Sequence, residues 1–273
     1  MKTVFSSCNS HQEANISGKV GSHYKINKIG KLPSIVSESS GLSLHTDGAS
    51  YWTHNDSGGS AALYNIGSDG KLVAEKPVSN SQNKDWEDLA TAPDGRIFIG
   101  DMGNNSNARQ DLSIYIVQDI NAAKPTASKI SFRYPDQLLY PPAAEDLNFD
   151  CEAFFYFKDK LYLFSKNRSK TKKFTKLYQL DASGGNQTAV LKDSLTLDTQ
   201  VTSADISPDG KQFVLLTYGK ILFFEVDNGV VDFSKPTGCM KFVKKQAEAI
   251  AFIDNKDLLV TNEQGEIIKL TYR

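Results

Sequence analysis

Apolar and polar positions alternate in short runs along this chain, and one arrangement recurs five times. Its clearest copy is Asp85–Asn105, DWEDLATAPDGRIFIGDMGNN. Two short apolar runs flank Asp94-Gly95, and polar clusters close the two outer ends. An Asp-Gly between apolar runs predicts a β-hairpin. The start of its first strand then lies beside the end of its second, which makes Glu87 and Asp101 neighbours away from the turn. The other copies turn at Asp47-Gly48, Asp159, Asp209-Gly210 and Asp254-Asn255. Their second strands run out into His54-Asn55-Asp56, Ser165–Arg168, Thr217–Gly219 and Thr261–Glu263.

The residues that lead the copies, Ser40, Glu87, Glu152, Ala204 and Glu248, follow one another at intervals of 44 to 65 residues. Such a period leaves room for about four strands per repeat and predicts an all-β fold, a five-bladed β-propeller of four-stranded blades. Tyr24–Leu32 alternates like a half-exposed strand but belongs to no repeat, whereas the last repeat stops after a third strand, Ile267–Thr271. The N-terminal strand is therefore expected to close the last blade. The blades are expected at Ser39–Ser79, Asp85–Asp136, Asp150–Leu197, Val201–Val243 and Gln246–Arg273, with Gln137–Asn148 inserted after the second. Helical periodicity is nowhere sustained.

Residues 20–273 read as one propeller domain and residues 1–19 as a flexible polar tail. Val4–Asn9 is similar to the end of a bacterial lipoprotein signal, with Cys8 at the lipidated position, although the apolar stretch expected before it is missing. The expectation is a periplasmic or cell-surface protein that meets a membrane only through a lipid on Cys8. No apolar run approaches the roughly 18 residues that a membrane span needs. Hydrophobic content of 40% is ample for a core, and a net charge of −1 argues against nucleic acid as a partner. Cys8, Cys151 and Cys239 are too few and scattered for a disulfide framework or a zinc site. A monomer is expected.

In a propeller the first strand of each blade lines the central channel. The leading residues Ser40, Glu87, Glu152 and Glu248 should therefore converge at one mouth. For the fourth blade, counting from Ile206 selects Ala204 and counting back from the turn selects Thr202, while Ser203 or Asp205 could supply an oxygen. Carboxylates crowded on one axis either gain protons or gather a cation. Hard oxygen donors suit Ca²⁺, with water completing about 6–8 ligands; the plainer reading is a ring of wet carboxylates. Around this tier, Asn55, Asp56, Asp101, Asn104, Lys166, Asn167, Tyr218, Asn262 and Glu263 should form a polar funnel. Arg109 and the basic run Lys166–Lys176, with Arg168, sit on the same face and would hold a small anionic ligand; a partner protein at the mouth is the other occupant. Asp56, Asp101 and Glu263 are the acid/base candidates. His54 reads as a hydrogen-bonded rim residue, Cys151 as buried and inert, and no serine sits in a nucleophile elbow.

The motifs SSGL (39–42), WTHNDSGG (52–59), DWEDLA (85–90), IFIGDMGNN (97–105), DCEA (150–153), VTSADISPDGK (201–211) and QAEAI (246–250) resemble a largely uncharacterised family of bacterial secreted or lipoprotein propellers. More remotely the chain is similar to calcium-activated nucleotidases (apyrases), five-bladed propellers whose channel ligands run Ser, Glu, Glu, Ser, Glu. The resemblance places Ser40, Glu87, Glu152, Ser203 and Glu248 at those positions. Phytase-like and esterase-like propellers share an acidic strand start. Two functions follow: a calcium-dependent hydrolase of a phosphate or other ester, with a metal-bound water attacking, or a non-catalytic ligand- or protein-binding propeller whose calcium is structural.

Overall fold

All five predicted hairpins form, and each is the inner half of an antiparallel sheet. The structure, a computed structural model, describes residues 20–242 and 246–273. The tail 1–19, with Cys8, lies outside the described residues. The tight turns use the expected chemistry. In blade two the Gly95 N–H donates to the Ala92 carbonyl (2.9 Å) with Gly95 at φ +90°, a conformation that side chains disfavour.

Blade one comprises Ser39–Leu44, Ser50–Asn55, Ala62–Gly67 and Leu72–Pro77. Blade two comprises Trp86–Thr91, Ile97–Asp101, Ser113–Val117 and Ala127–Arg133. Blade three comprises Asp150–Phe157, Lys160–Lys166, Phe174–Asp181 and Val190–Thr196. Blade four comprises Val201–Ile206, Gln212–Thr217, Gly219–Asp227 and Gly238–Phe242, and blade five Ala247–Phe252, Leu258–Asn262 and Glu266–Tyr272. The fourth strand of blade five is Tyr24–Lys31, paired antiparallel with Glu266–Tyr272 from Tyr24↔Tyr272 to Lys31↔Glu266. The chain's two ends thus close the ring, as the strand count required.

Two strands depart from the plain pattern. Gly185–Thr188 leaves blade three and pairs parallel with Ala127–Arg133, adding a fifth strand to blade two. Val230–Val231 forms a small outer hairpin on blade four.

The ring holds because strand side chains alternate between two neighbours. In blade two Ile97 and Ile99 face blade one, where they join Trp52 and Leu63, while Phe98 faces Phe154 and Leu161 of blade three. Blade three repeats the device: Leu161 and Leu163 face blade two, Tyr162 and Phe164 face blade four. Five apolar clusters result, one at each blade interface. First strands pack side by side in order, and that of blade five returns against that of blade one.

Candidate functional site

Every first strand breaks its ladder at the same level. The register shifts between Ser39 and Leu42, Trp86 and Leu89, Cys151 and Ala153, Val201 and Ser203, and Ala247 and Ala249. A bulge re-aims side chains out of the alternation. Ser40, Glu87, Glu152 and Glu248 all lie at these bulges. In blade four the bulge falls on Thr202, so the backbone equivalent there is Thr202, one residue before Ser203. Thr202 Oγ1 donates to the Ala247 carbonyl (3.0 Å).

Ser203 belongs to a deeper layer, a buried belt centred on Asp88. The Asp88 carboxylate accepts from Leu89 N (3.0 Å), Phe154 N (3.3 Å), Ala204 N (3.1 Å) and Ser203 Oγ (3.1 Å). Ser203 Oγ in turn accepts from Ile250 N at 3.2 Å. Blades two, three, four and five are thereby tied together across the channel. The Ser203 hydroxyl is engaged on both sides within this belt.

Above the belt the charges divide unevenly. On the side of blades one and two, ligand oxygens of Asp56, Asp85 and Glu87 all lie within 4.8 Å of one another. Asn83 builds this corner: its Nδ2 donates to the Asn55 (3.0 Å) and Asp56 (2.8 Å) carbonyls, and its Oδ1 accepts from Trp86 N (3.1 Å). The exit of blade one is thus held against the start of blade two. Gly103 completes the corner, since a Cβ there would collide with Glu87 Oε1 and the Asp85 carboxylate. Burial, then Glu152, pushes the Glu87 carboxyl well above its usual range, and none of its main charged neighbours is a cation. Burial and Asp56 push Asp85 up to about 6, and burial raises Asp56. An all-oxygen, carboxylate-rich corner of this kind fits a hard divalent cation. Gly103→Ala is expected to swing both carboxylates away and weaken cation binding at least about tenfold, with a stability loss of about 1–2 kcal/mol. Calorimetric titration beside a thermal melt measures the two effects separately.

The three leading glutamates differ in their partners. Glu152 is neutralised: Lys166 Nζ donates to its Oε2 and Arg168 to its Oε1 (2.8 Å). Burial and Asp150 raise the Glu152 carboxyl, while these two cations pull it back. With a cation on each oxygen, we assign the ionised form. Burial alone would depress the Lys166 ammonium, but Glu152 beside it holds it up. Lys166 Nζ also lies 3.3 Å from the Tyr218 hydroxyl, which reaches Glu248 Oε1 at 3.1 Å. Burial pushes Glu248 up to about 7, with Lys166 and Tyr218 opposing. Ser40 is buried at its bulge.

Much of the predicted funnel is turn hardware. Asp101 is 1% exposed and paired with Arg109 (3.1 Å), whose guanidinium also donates to the Gly103 carbonyl (2.8 Å). Asn104 joins blade two to blade three through Asp150 Oδ1 (2.7 Å) and the Phe149 carbonyl (3.0 Å). Asn55 fastens the Ile35 carbonyl (2.9 Å), Asn167 caps Ser169 N (2.8 Å), and Asn262 clasps Glu266 (2.9 Å to its N). Glu263 is exposed, raised by burial, Glu38 and Asp56. The basic run is largely spent as well: Arg168 pairs with Asp150 (2.6 Å), Lys172 with Asp146 (2.5 Å), Lys173 with Asp198 (2.6 Å) and Lys176 with Asp136 (2.6 Å). His54 is a fully buried histidine, not a rim residue. Its Nδ1 lies 2.9 Å from the Asn55 carbonyl, its ring meets Trp86 edge-on, and burial lowers its pKa to about 4. Cys151 is buried with its thiol pushed up, as expected of an inert cysteine.

Asp85 and Asn83 were not singled out from sequence. Asp85 stands two residues before Glu87, and on an extended chain residues two apart share a face. That was the available signal.

Fold and site together define a five-bladed β-propeller with an acidic corner at one channel mouth. The sequence matches no family model and no curated protein. Among solved structures it is similar to the Kuenenia stuttgartiensis hydrazine synthase, at 15% identity and a TM-score of 0.45, over 85% of this chain and 57% of that one. It is also similar to a chain in a mitotic checkpoint complex, at 14% identity and a TM-score of 0.41, over 85% of this chain and 61% of that one. This chain therefore spans about three fifths of the length of either. Likeness at this level carries no function. No match supports the resemblance to secreted propellers or nucleotidases beyond the shared fold.

Proposed function

We propose that this propeller binds a divalent cation, calcium by the hardness of the donors, at the Asp56–Asp85–Glu87 corner, and that the cation holds a small anionic ligand facing Lys166, Tyr218 and Glu248. The observation that carries this reading is the crowding of the corner, three carboxylates with ligand oxygens within 4.8 Å of one another. The other side of the mouth has its own cations; this side has none against Glu87. Of the residues that the resemblance to calcium-activated nucleotidases singles out, Glu87 alone belongs to this corner. Three carboxylates without a dedicated loop suit an affinity of about 10⁻⁴–10⁻³ M, which extracytoplasmic calcium would fill.

Calcium titration with paired melts tests it. In EDTA, Asp85 and Glu87 have folded pKa values above their unfolded ones. Their contribution is fully present below about pH 4 and is lost as pH rises through about 6 for Asp85 and higher for Glu87. The EDTA melting temperature should therefore fall from pH 5 to pH 8. Calcium needs the ionised forms, so its stabilisation should grow over the same interval, reaching about 2.7 kcal/mol at a hundred times the Kd. Glu87→Gln and Asp85→Asn should each flatten both trends, and Glu75→Gln should change neither. Melting indifferent to calcium and EDTA at pH 8 would overturn the reading.

A hydrolytic version is favoured by one further observation. Glu248, at about 7 and in hydrogen-bond reach of Tyr218, can exchange a proton at the same mouth. A bound cation would supply polarisation of a phosphate or ester oxygen; Lys166 would orient the anion and Glu248 would carry the proton. Release of p-nitrophenol from phosphate and carboxylic esters, dependent on calcium and lost in Glu248→Gln, is the expected result. Calcium binding without turnover leaves the binding module.

A further inference from the structure

The hairpin-turn end of the channel, on the far side of the Asp88 belt from the acidic corner, opens into a second cavity of about 620 Å³. That volume is within the range of small-molecule sites, about 300–1,000 Å³. Four blades contribute apolar or aromatic walls: Leu44, Tyr156, Phe157, Ile206 and Phe252. Two carboxylates line it as well, Asp205 and Asp209.

Asp205 has an unusual balance of partners. Its Oδ1 accepts from Ile206 N (2.8 Å) and its Oδ2 from Phe252 N (2.7 Å), which fixes the side chain while leaving lone pairs on both oxygens. No lysine or arginine among the described residues forms an ion pair with it, and burial is the cause that pushes its carboxyl up to about 7. The other charged groups that line the cavity have partners of their own, and that of Lys158 is the Phe157 ring, a wall of the cavity. Lys158 Nζ sits 5.1 Å from the Phe157 ring centroid and beside Gly229 of the outer turn of blade four. Asp209 accepts from Ser207 Oγ (2.8 Å) and Lys211 N (3.2 Å), and His45 Nδ1 accepts from Asp47 N (3.0 Å). Phe157 is itself braced, since a Cβ at Gly210 would meet its ring at 2.7 Å. A fixed carboxylate without a counter-charge, set among rigid aromatic rings, is the recognition chemistry of an alkylammonium group.

We propose that this lower cavity binds a small organic ammonium, with Asp205 as its counter-charge and the Tyr156, Phe157 and Phe252 rings around its alkyl groups. The site is separate from the cation corner and does not depend on the function proposed there.

The test is isothermal titration of the full chain, in calcium-containing buffer, with choline, with benzylammonium, and with 3,3-dimethylbutan-1-ol, the neutral isostere of choline. At least one ammonium should bind about tenfold or more tightly than the alcohol. Asp205→Asn, which keeps an oxygen for the Phe252 N–H, should lose that preference while its melting curve shows a folded ring. Phe157→Leu should weaken the ammonium and leave the alcohol unchanged. Neither ammonium binding more tightly than the alcohol, both ammonium probes failing at millimolar concentration, or a folded Asp205→Asn that binds as the wild type would each overturn the proposal.

Discussion

A chain that begins at Leu32 is expected to lose the closed ring. Tyr24–Lys31 is the outer strand of blade five, and its removal strips a full ladder from Glu266–Tyr272. The new edge would carry unpaired backbone groups beside Ile267, Ile268 and Leu270, which are buried in the interfaces with blades one and four. The strand also anchors two blades at once. The Tyr24 ring packs on Phe223 of blade four and edge-on to Tyr272, and its hydroxyl donates to the Lys256 carbonyl (2.8 Å). Losing a buried aromatic alone costs about 3–5 kcal/mol, and domain stability is about 5–15 kcal/mol. Deletion of the strand should therefore abolish the cooperative melt and shift the chain to aggregates on size exclusion. A synthetic peptide of residues 20–31 added in trans should restore part of the melt. An unchanged cooperative transition in the truncated chain would mean that the last blade is stable with three strands. Tyr24→Ala in the full chain should cost about 3 kcal/mol by urea unfolding.

The ring was legible because its signals are local. Period-two alternation and Asp-Gly turns announce each hairpin, and the unmatched Tyr24–Leu32 strand has only one vacancy to fill. Gly185–Thr188 was not legible. Its four residues, GNQT, carry no apolar alternation, and the strand pairs with a blade other than the one it follows. The bulges also escaped the sequence. They put the fourth-blade position at Thr202, one of the two residues that counting along the strand leaves open, because alternation cannot be carried across a bulge that interrupts it.

The site was legible in part for the same reason. Glu87 stands out from its own hairpin, and Asp56 from the run-out of its strand. Which acids are balanced depends on contacts between distant residues. Lys166 and Arg168 look like a free basic loop in sequence but close over Glu152 and Asp150. Matched blade positions suggested three equivalent glutamates on an axis. The groups around them make one of the three an ion pair, one an acid raised by burial and bonded to Tyr218, and one a member of a crowded carboxylate corner.

Asp88→Ala is expected to be the most damaging single substitution at the channel, although Asp88 touches no candidate ligand. Its carboxylate is fully buried and satisfies two backbone N–H groups of other blades, Phe154 and Ala204, and the Ser203 hydroxyl. Truncation leaves these donors facing a cavity rather than water. Each unsatisfied buried group costs about 1–3 kcal/mol, so a total of about 3–5 kcal/mol is expected after partial relaxation. Burial also pushes the Asp88 carboxyl well above its usual range, while its four donors oppose the shift. Asp88→Asn separates the two contributions. It removes the cost of a buried charge but turns an amide N–H₂ toward groups that are themselves donors, so a smaller loss of about 1–3 kcal/mol is expected. Urea unfolding at pH 7 measures both. Since Asp88 adjoins Glu87, the alanine variant should also weaken calcium binding in proportion to the lost rigidity, whereas Ser203→Ala, which removes one spoke of the belt, should cost about 1 kcal/mol and leave calcium binding intact. An Asp88→Ala protein within about 0.5 kcal/mol of wild type would show that the belt is not what ties blades two to five together.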